Sequence, residues 1–217
     1  MQRTSARTLL LVLILWLVGC ASCAGPGARD GPSWQTLFDG RTFDGWESIH
    51  YGGEGEIVVG NGSALLPRGA VLTGIRRPAG LPRTMDYELE VRATRLSGND
   101  FFCGLTFPVG DEFATVILGG WGGGLCGLSC IDGQDASQNV TKSLRSFRDD
   151  VEYALIVRVE RGRIRAWLNR QLLFDVDTIG KRLSLRAEML PSAPLSVSAF
   201  ITTASIGPLR WRPLQGD

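Results

Sequence analysis

An antiparallel β-sandwich in a single domain is the fold class this sequence predicts. Three observations predict it. About a dozen short apolar runs are separated by turn residues, several of them alternate apolar with polar side chains, and no stretch carries a convincing helical period. The 28 glycines and 10 prolines are scattered rather than repeated, as tight turns between short strands require. A chain of 217 residues is also long enough to bury one sizeable core.

The elements follow in chain order. Arg3 and Arg7 precede the apolar run Leu9–Val18, and the small residues Gly19, Cys20 and Ala21 follow it. A basic head, a short greasy middle and a small-residue exit describe a secretory signal, too short for a comfortable membrane span of about 20 residues. Leu17-Val18-Gly19-Cys20 resembles the lipobox of bacterial lipoproteins. That resemblance implies cleavage after residue 19, lipid on Cys20, a tether over 20–33 and anchorage to the bacterial cell envelope, at the outer membrane. An ordinary signal peptide cut nearby is the alternative. The sandwich then spans 34–213, with a tail at 214–217.

Trp34 opens the domain, and two Asp-Gly turns follow at Asp39-Gly40 and Asp44-Gly45, each beside aromatic residues that can be buried. Glu56–Val59 and Ala64–Leu66 flank Gly60-Asn61-Gly62 as a hairpin. Met85–Thr94 alternates, with Tyr87, Leu89, Val91 and Ala93 on one side and Glu88, Glu90 and Arg92 on the other. Phe101–Phe107 and Phe113–Leu118 are apolar on both faces, as central strands should be. Leu125–Ile131, Tyr153–Glu160, Ile164–Leu168, Gln171–Val176, Leu183–Ala187, Leu195–Thr202 and Ile206–Trp211 complete the set.

The string Leu37-Phe38-Asp39-Gly40-Arg41-Thr42-Phe43-Asp44-Gly45-Trp46 resembles the opening motif of the 3-keto-disaccharide hydrolase domain family. The likeness runs from about Leu37 to the closing strand near Trp211. It implies a concanavalin-A-like lectin/glucanase sandwich in which one sheet is concave and saccharides lie across it. Asn99-Asp100-Phe101 departs from the Asn-Ser-Gly familiar in that family.

Phe101–Phe107 then divides into Phe101, Cys103, Leu105 and Phe107 toward the core, and Phe102 and Thr106 toward the concave face. There Phe102 can stack on a sugar; otherwise it packs under a loop. Gly119-Gly120-Trp121-Gly122-Gly123-Gly124 can present Trp121 to a ligand from a flexible hairpin tip, or fold it back as a lid. No Lys-Ser/Thr pair follows these glycines, so they are not a phosphate cradle. In the loop Asp132–Asn139, the side chains Asp132, Asp135 and Asn139 either converge on sugar hydroxyls or a calcium ion, or are solvated turn residues. The EF-hand spacing is not met.

The formal net charge of +1 gives no field to gather nucleic acid, and the one histidine, His50, excludes multi-histidine metal sites. His50 can serve as a base for the acidic proton beside a 3-keto group, or sit idle in an exposed loop. Cys126 and Cys130 lie about 13 Å apart on one strand, too far for a mutual disulfide. Either can bridge to Cys103, or all three are buried thiols; with His50 they make four zinc ligands on paper, which strand spacing opposes. Glu88 and Glu90 form an exposed ion-paired face with Arg92 rather than a glycosidase pair, and Asp175 and Asp177 answer Arg163 and Arg165 across a hairpin.

Two functions emerge. The family likeness implies cleavage of 3-keto-glycosides, with His50 and Asp132 as candidate catalytic residues and Phe102, Trp121, Asp135 and Asn139 against the saccharide. The alternative is a non-catalytic lectin-like module or an envelope interaction module. No cofactor is expected, although a divalent metal is compatible with the loop. The expected partners are a saccharide and, through the lipid alone, a membrane. A deep pocket converging His50, Trp121 and Asp132 suits an enzyme; a shallow aromatic groove suits a lectin.

Overall fold

The computed structural model describes residues Pro32–Gln215. The predicted signal segment 1–19, Cys20 and nearly all of the tether lie outside the described residues. Two antiparallel sheets pack face to face. The eight-stranded sheet runs in the order β13 (Gln171–Asp177), β12 (Arg163–Leu168), β11 (Glu152–Glu160), β6 (Tyr87–Gly98), β15 (Thr202–Pro213), β4 (Ser63–Leu66) and β3 (Val58–Gly60), with β1 (Gln35–Phe38) also paired to β15. The seven-stranded sheet runs β10 (Ser143–Leu144), β9 (Leu125–Ser129), β8 (Glu112–Gly119), β7 (Cys103–Val109), β14 (Ser196–Phe200), β5 (Leu72–Arg76) and β2 (Glu47–Ser48). The predicted antiparallel sandwich is the observed one.

Alternation places the core between the sheets. Tyr87, Leu89, Val91 and Ala93 of β6 meet Leu105, Phe107, Val116, Leu118 and Leu128 of the facing sheet, all fully or almost fully buried. The opening motif closes one end of this core. Asp39 turns the chain by accepting the amides of Arg41 at 2.8 Å and Thr42 at 3.2 Å, and Trp46 Nε1 donates to the Leu37 carbonyl at 2.8 Å. Phe38 and Trp46 then pack edge to face at 5.4 Å.

On the opposite face of β6 the carboxylates are ion-paired as expected, but they are buried under arginines of neighbouring strands rather than exposed. Glu88, only 3% exposed, is clamped by Arg158 Nε and Arg212 Nε, each at 2.6 Å. Glu90 accepts from Arg210 at 2.6 Å, and Arg163 binds Asp175 through two nitrogens at 2.6 Å. Arg158 and Arg165 also flank Trp167, and Arg210 and Arg212 flank Trp34. Asp177 differs from expectation: it caps the Ile179 amide at 2.8 Å.

Three departures from the sequence reading reshape the seven-stranded sheet. β5 is an extra strand, with no apolar–polar alternation to betray it because Leu72–Ile75 are all buried. The segment Leu183–Ala187 is not a strand: only Leu183 bridges to Ile131, and a 3-10 segment, Ala187–Ser192, follows across the outer face of the sheet. Finally, β7 begins at Cys103, and a bend at Phe102 breaks the alternation. Phe102 and Cys103 therefore both enter the core, while Phe101 turns outward.

Candidate functional site

Register builds the outer face of the seven-stranded sheet. Ser196 pairs with Thr106, Thr106 with Thr115, and Thr115 with Ser129, so one rung carries four hydroxyl side chains across β14, β7, β8 and β9. Arg76 and Glu47 continue it through β5 and β2, and pair with each other. The next rung is Gly74, Ser198, Gly104, Ile117 and Gly127, nearly free of side chains. Its emptiness is occupied: a Cβ on Gly104 would lie 2.9 Å from the Phe101 ring.

One half of this face is roofed. Tyr51 hydroxyl bonds Ser192 at 2.6 Å and Ser198 at 2.7 Å, and Arg76 donates to the Pro191 carbonyl at 3.1 Å, tying down the 3-10 segment. The other half is open as a cleft of about 230 Å³. Its walls are aromatic and apolar (Phe101, Phe200, Trp121, Ile117 and Met189), Thr115 and Ser129 reach it from the hydroxyl rung, and Asp100, Arg186 and Glu188 bring charge. Phe101 and Phe200 stack at 5.6 Å. Trp121 is 43% exposed, an unusual state for so large a ring.

The glycines around Trp121 have a structural cause. Gly119, Gly122 and Gly123 adopt positive φ, and Trp121 itself sits at φ 49°. A Cβ on Gly119 would press on the Phe102 ring at 3.1 Å. Asp100 staples the turn, its Oδ1 accepting the Trp121 amide at 3.2 Å and the Phe101 amide at 2.8 Å. Across the cleft, the Arg186 guanidinium lies 6.0 Å from the Trp121 ring centre. Glu188, at 2.5 Å, and Asp135, at 2.7 Å, hold it there, and the bond from Glu188 raises its pKa above the ordinary range.

Of the residues singled out by sequence, only Trp121 lines the cleft directly, and Asp135 stands behind it through Arg186. Phe102 is a correction: it is fully buried, packed against Phe147 and Tyr153, and has no access to a ligand. Asn139 is a second. It is 7% exposed and brackets its own loop, donating to the carbonyls of Leu128 at 2.7 Å and Gln134 at 3.0 Å while accepting from Thr141. The His50 side chain is 90% exposed and bonded to Glu54 at 3.0 Å, and it is not among the residues that line the cleft. Asp132 accepts the Arg182 amide at 2.9 Å and pairs with Lys181 at 3.2 Å. The amide, then the lysine, lowers its pKa. Neither His50 nor Asp132 joins Trp121 in lining the cleft.

Calcium fits the Asp132–Asn139 loop poorly. Asp132 and Asp135 are engaged by cations and amides, the Asn139 carboxamide is consumed by backbone, and no three His, Cys, Asp or Glu side chains gather among the described residues. Cys103, Cys126 and Cys130 are free, buried thiols, and neither a disulfide nor a zinc tetrad with His50 forms. Burial pushes the Cys103 thiol up to about 12 and Cys126 up to about 11.

Sequence reasoning missed Asp100, Phe101, Arg186, Glu188 and Phe200. Asn99-Asp100-Phe101 was visible as a departure from the expected pattern; Pro191 and Pro194 were the available signal for the segment that carries Arg186 and Glu188.

The fold is a concanavalin-A-like antiparallel sandwich. The VIP36 exoplasmic/lumenal domain in its Ca2+/Man-bound form is similar at 15% identity, over 84% of this chain and 91% of that one, with a TM-score of 0.56. The carbohydrate-binding module CBM66 from Bacillus subtilis is similar at 15% identity, over 75% of this chain and 92% of that one, with a TM-score of 0.51. Crh5 transglycosylase in complex with NAG is similar at 11% identity, over 84% and 85% of the two chains, with a TM-score of 0.57. No family model matches the sequence, and no curated protein matches it.

Proposed function

We propose that this protein binds saccharides in the Trp121 cleft, as an exported carbohydrate-binding sandwich held to the envelope by lipid on Cys20. One observation carries the reading: a half-exposed indole faces a guanidinium across a cleft floored by Thr115, Ser129 and a stacked pair of phenylalanines. Flat apolar rings bind the C–H face of a sugar, and the hydroxyl and charged groups at the edges bind its hydroxyls. The similarity to VIP36 crystallised with mannose, and to a carbohydrate-binding module, supports the same ligand class.

Titration of the full-length protein with a panel of oligosaccharides, followed by tryptophan fluorescence and calorimetry, tests this. Trp121→Ala lowers affinity at least about tenfold, the usual cost of losing a central aromatic anchor. Unchanged affinity in that variant rules out this cleft. Added calcium leaves binding unaltered, because the donors of the Asp132–Asn139 loop are already engaged.

Cleavage of 3-keto-glycosides is the second reading. The two carboxylates Asp100 and Glu188 on the cleft wall favour it, since proton abstraction beside a ketone requires one base. Turnover of a 3-keto-glucoside that disappears in Asp100→Asn or Glu188→Gln, but survives in His50→Ala, makes the cleft catalytic. Binding without turnover makes it a module.

A further inference from the structure

The charge balance of the cleft deepens the saccharide reading, on which this inference rests. Two carboxylates, Asp100 and Glu188, line it against one guanidinium, Arg186. That guanidinium is already bound on two sides, by Glu188 and by Asp135 behind it. Arg95, which donates to the Gly123 carbonyl behind the Trp121 turn, does not line the cleft and places its charge on Asp149 at 2.5 Å. Asp100 has only backbone amides on Oδ1 and forms no salt bridge among the described residues. The cleft is therefore short of positive charge, and the deficit lies at Asp100, one residue before Phe101 and bonded to the backbone of Trp121.

A uronate or sulfated sugar would have to displace Asp135 or Glu188 to reach Arg186, and would meet the field of Asp100. A neutral sugar would leave Asp100 desolvated without a charged partner. A ligand with an ammonium group meets neither obstacle. Its charge pairs with Asp100, and its ring lies against the exposed part of the indole, which Arg186 already flanks. We infer that the cleft selects an amino sugar with a free, protonated amine, its ammonium on Asp100 and its ring face on Trp121.

The test is calorimetric titration of the full-length protein, at physiological ionic strength, with four oligomers of equal length: glucosamine, N-acetylglucosamine, glucose and lysine. The expected result is that the glucosamine oligomer binds about tenfold tighter than its N-acetylated and neutral counterparts, the usual size of a charge-assisted contact. Asp100→Asn, whose Oδ1 still accepts both amides, erases that preference, so that the free-amine and acetylated oligomers bind alike. Trp121→Ala weakens every sugar. Equal affinity for the acetylated and free-amine oligomers, or a preference that survives in Asp100→Asn, overturns the amine assignment while leaving saccharide binding standing. Lysine oligomer binding as tightly as glucosamine, and insensitive to Trp121→Ala, also overturns it, as surface ion exchange. Absence of any Trp121-dependent sugar binding removes both proposals together.

Discussion

Asn139 and His50 show how little residue type alone says about role. Both are polar, both lie in loops, and both invite a functional reading. The structure divides them by burial. Asn139 uses its whole amide inside the loop, so Asn139→Ala removes the side-chain donor to the Leu128 carbonyl and the acceptor of the Thr141 amide, while the Gln134 carbonyl keeps the Ile131 amide. Unsatisfied buried groups of this kind cost about 2–4 kcal/mol. Urea denaturation of the variant measures that loss, and a change smaller than the usual surface effect would show that solvent replaces the amide. His50 touches only Glu54 from an exposed loop. His50→Ala leaves the melting temperature and saccharide affinity unchanged; a loss of affinity would return the site to that loop. Phe101 and Phe102 make the same point in adjacent positions. A single bend sends one ring to the ligand face and the other to the core, and two neighbouring phenylalanines carry no sequence signal for which goes where.

Elements were legible wherever turn chemistry or alternation had a local cause. The Asp39-Gly40 turn is one such place, and its glycine is required twice over. Gly40 has φ +71°, and a Cβ there would lie 2.1 Å from the backbone carbon of Gly62. Gly40→Ala must therefore separate the opening turn from the β3–β4 hairpin, at a cost of about 3 kcal/mol or more. Gly110, in the β7–β8 turn, has φ +60° with open space where its Cβ would be. Gly110→Ala bears only the left-handed penalty of about 1 kcal/mol. Thermal melts of the two variants should separate clearly, and equal losses would show that the close approach of Gly40 to Gly62 is not rigid. β5 and the 3-10 segment were illegible for the opposite reason. A strand buried on both faces has no alternation, and a segment pinned through Pro191 and Ser192 by Arg76 and Tyr51 takes its shape from distant partners.

The sandwich as a whole traps two thiols whose ionisation it opposes. Cys103 and Cys126 sit on strands flanking β8 and face the same core, where burial raises their pKa values from 9.0 to about 12 and about 11. The folded state thus keeps protons that the unfolded chain releases above pH 9. Stability attributable to these thiols is complete below pH 9 and is lost as pH rises toward 11 and 12, by up to about 1.4 kcal/mol per pH unit for each. Urea midpoints measured at increasing pH should fall through that window. Cys103→Ala should fall less steeply, and an identical slope in that variant would assign the loss to other groups, such as the buried Tyr87.

By itself the sequence determined the sandwich, its strand-by-strand alternation, the turns of the opening motif, the paired carboxylates of β6 and the prominence of Trp121. Each of these follows from interactions between residues close in the chain, or from a period that one buried face imposes. Tertiary structure alone decided the cleft. Asp100 and Phe101 precede β7, Trp121 follows β8, Phe200 ends β14, and Arg186 and Glu188 come from the segment crossing the sheet. Only strand register and long-range hydrogen bonds bring these positions together, and neither is written into the spacing of residues along the chain.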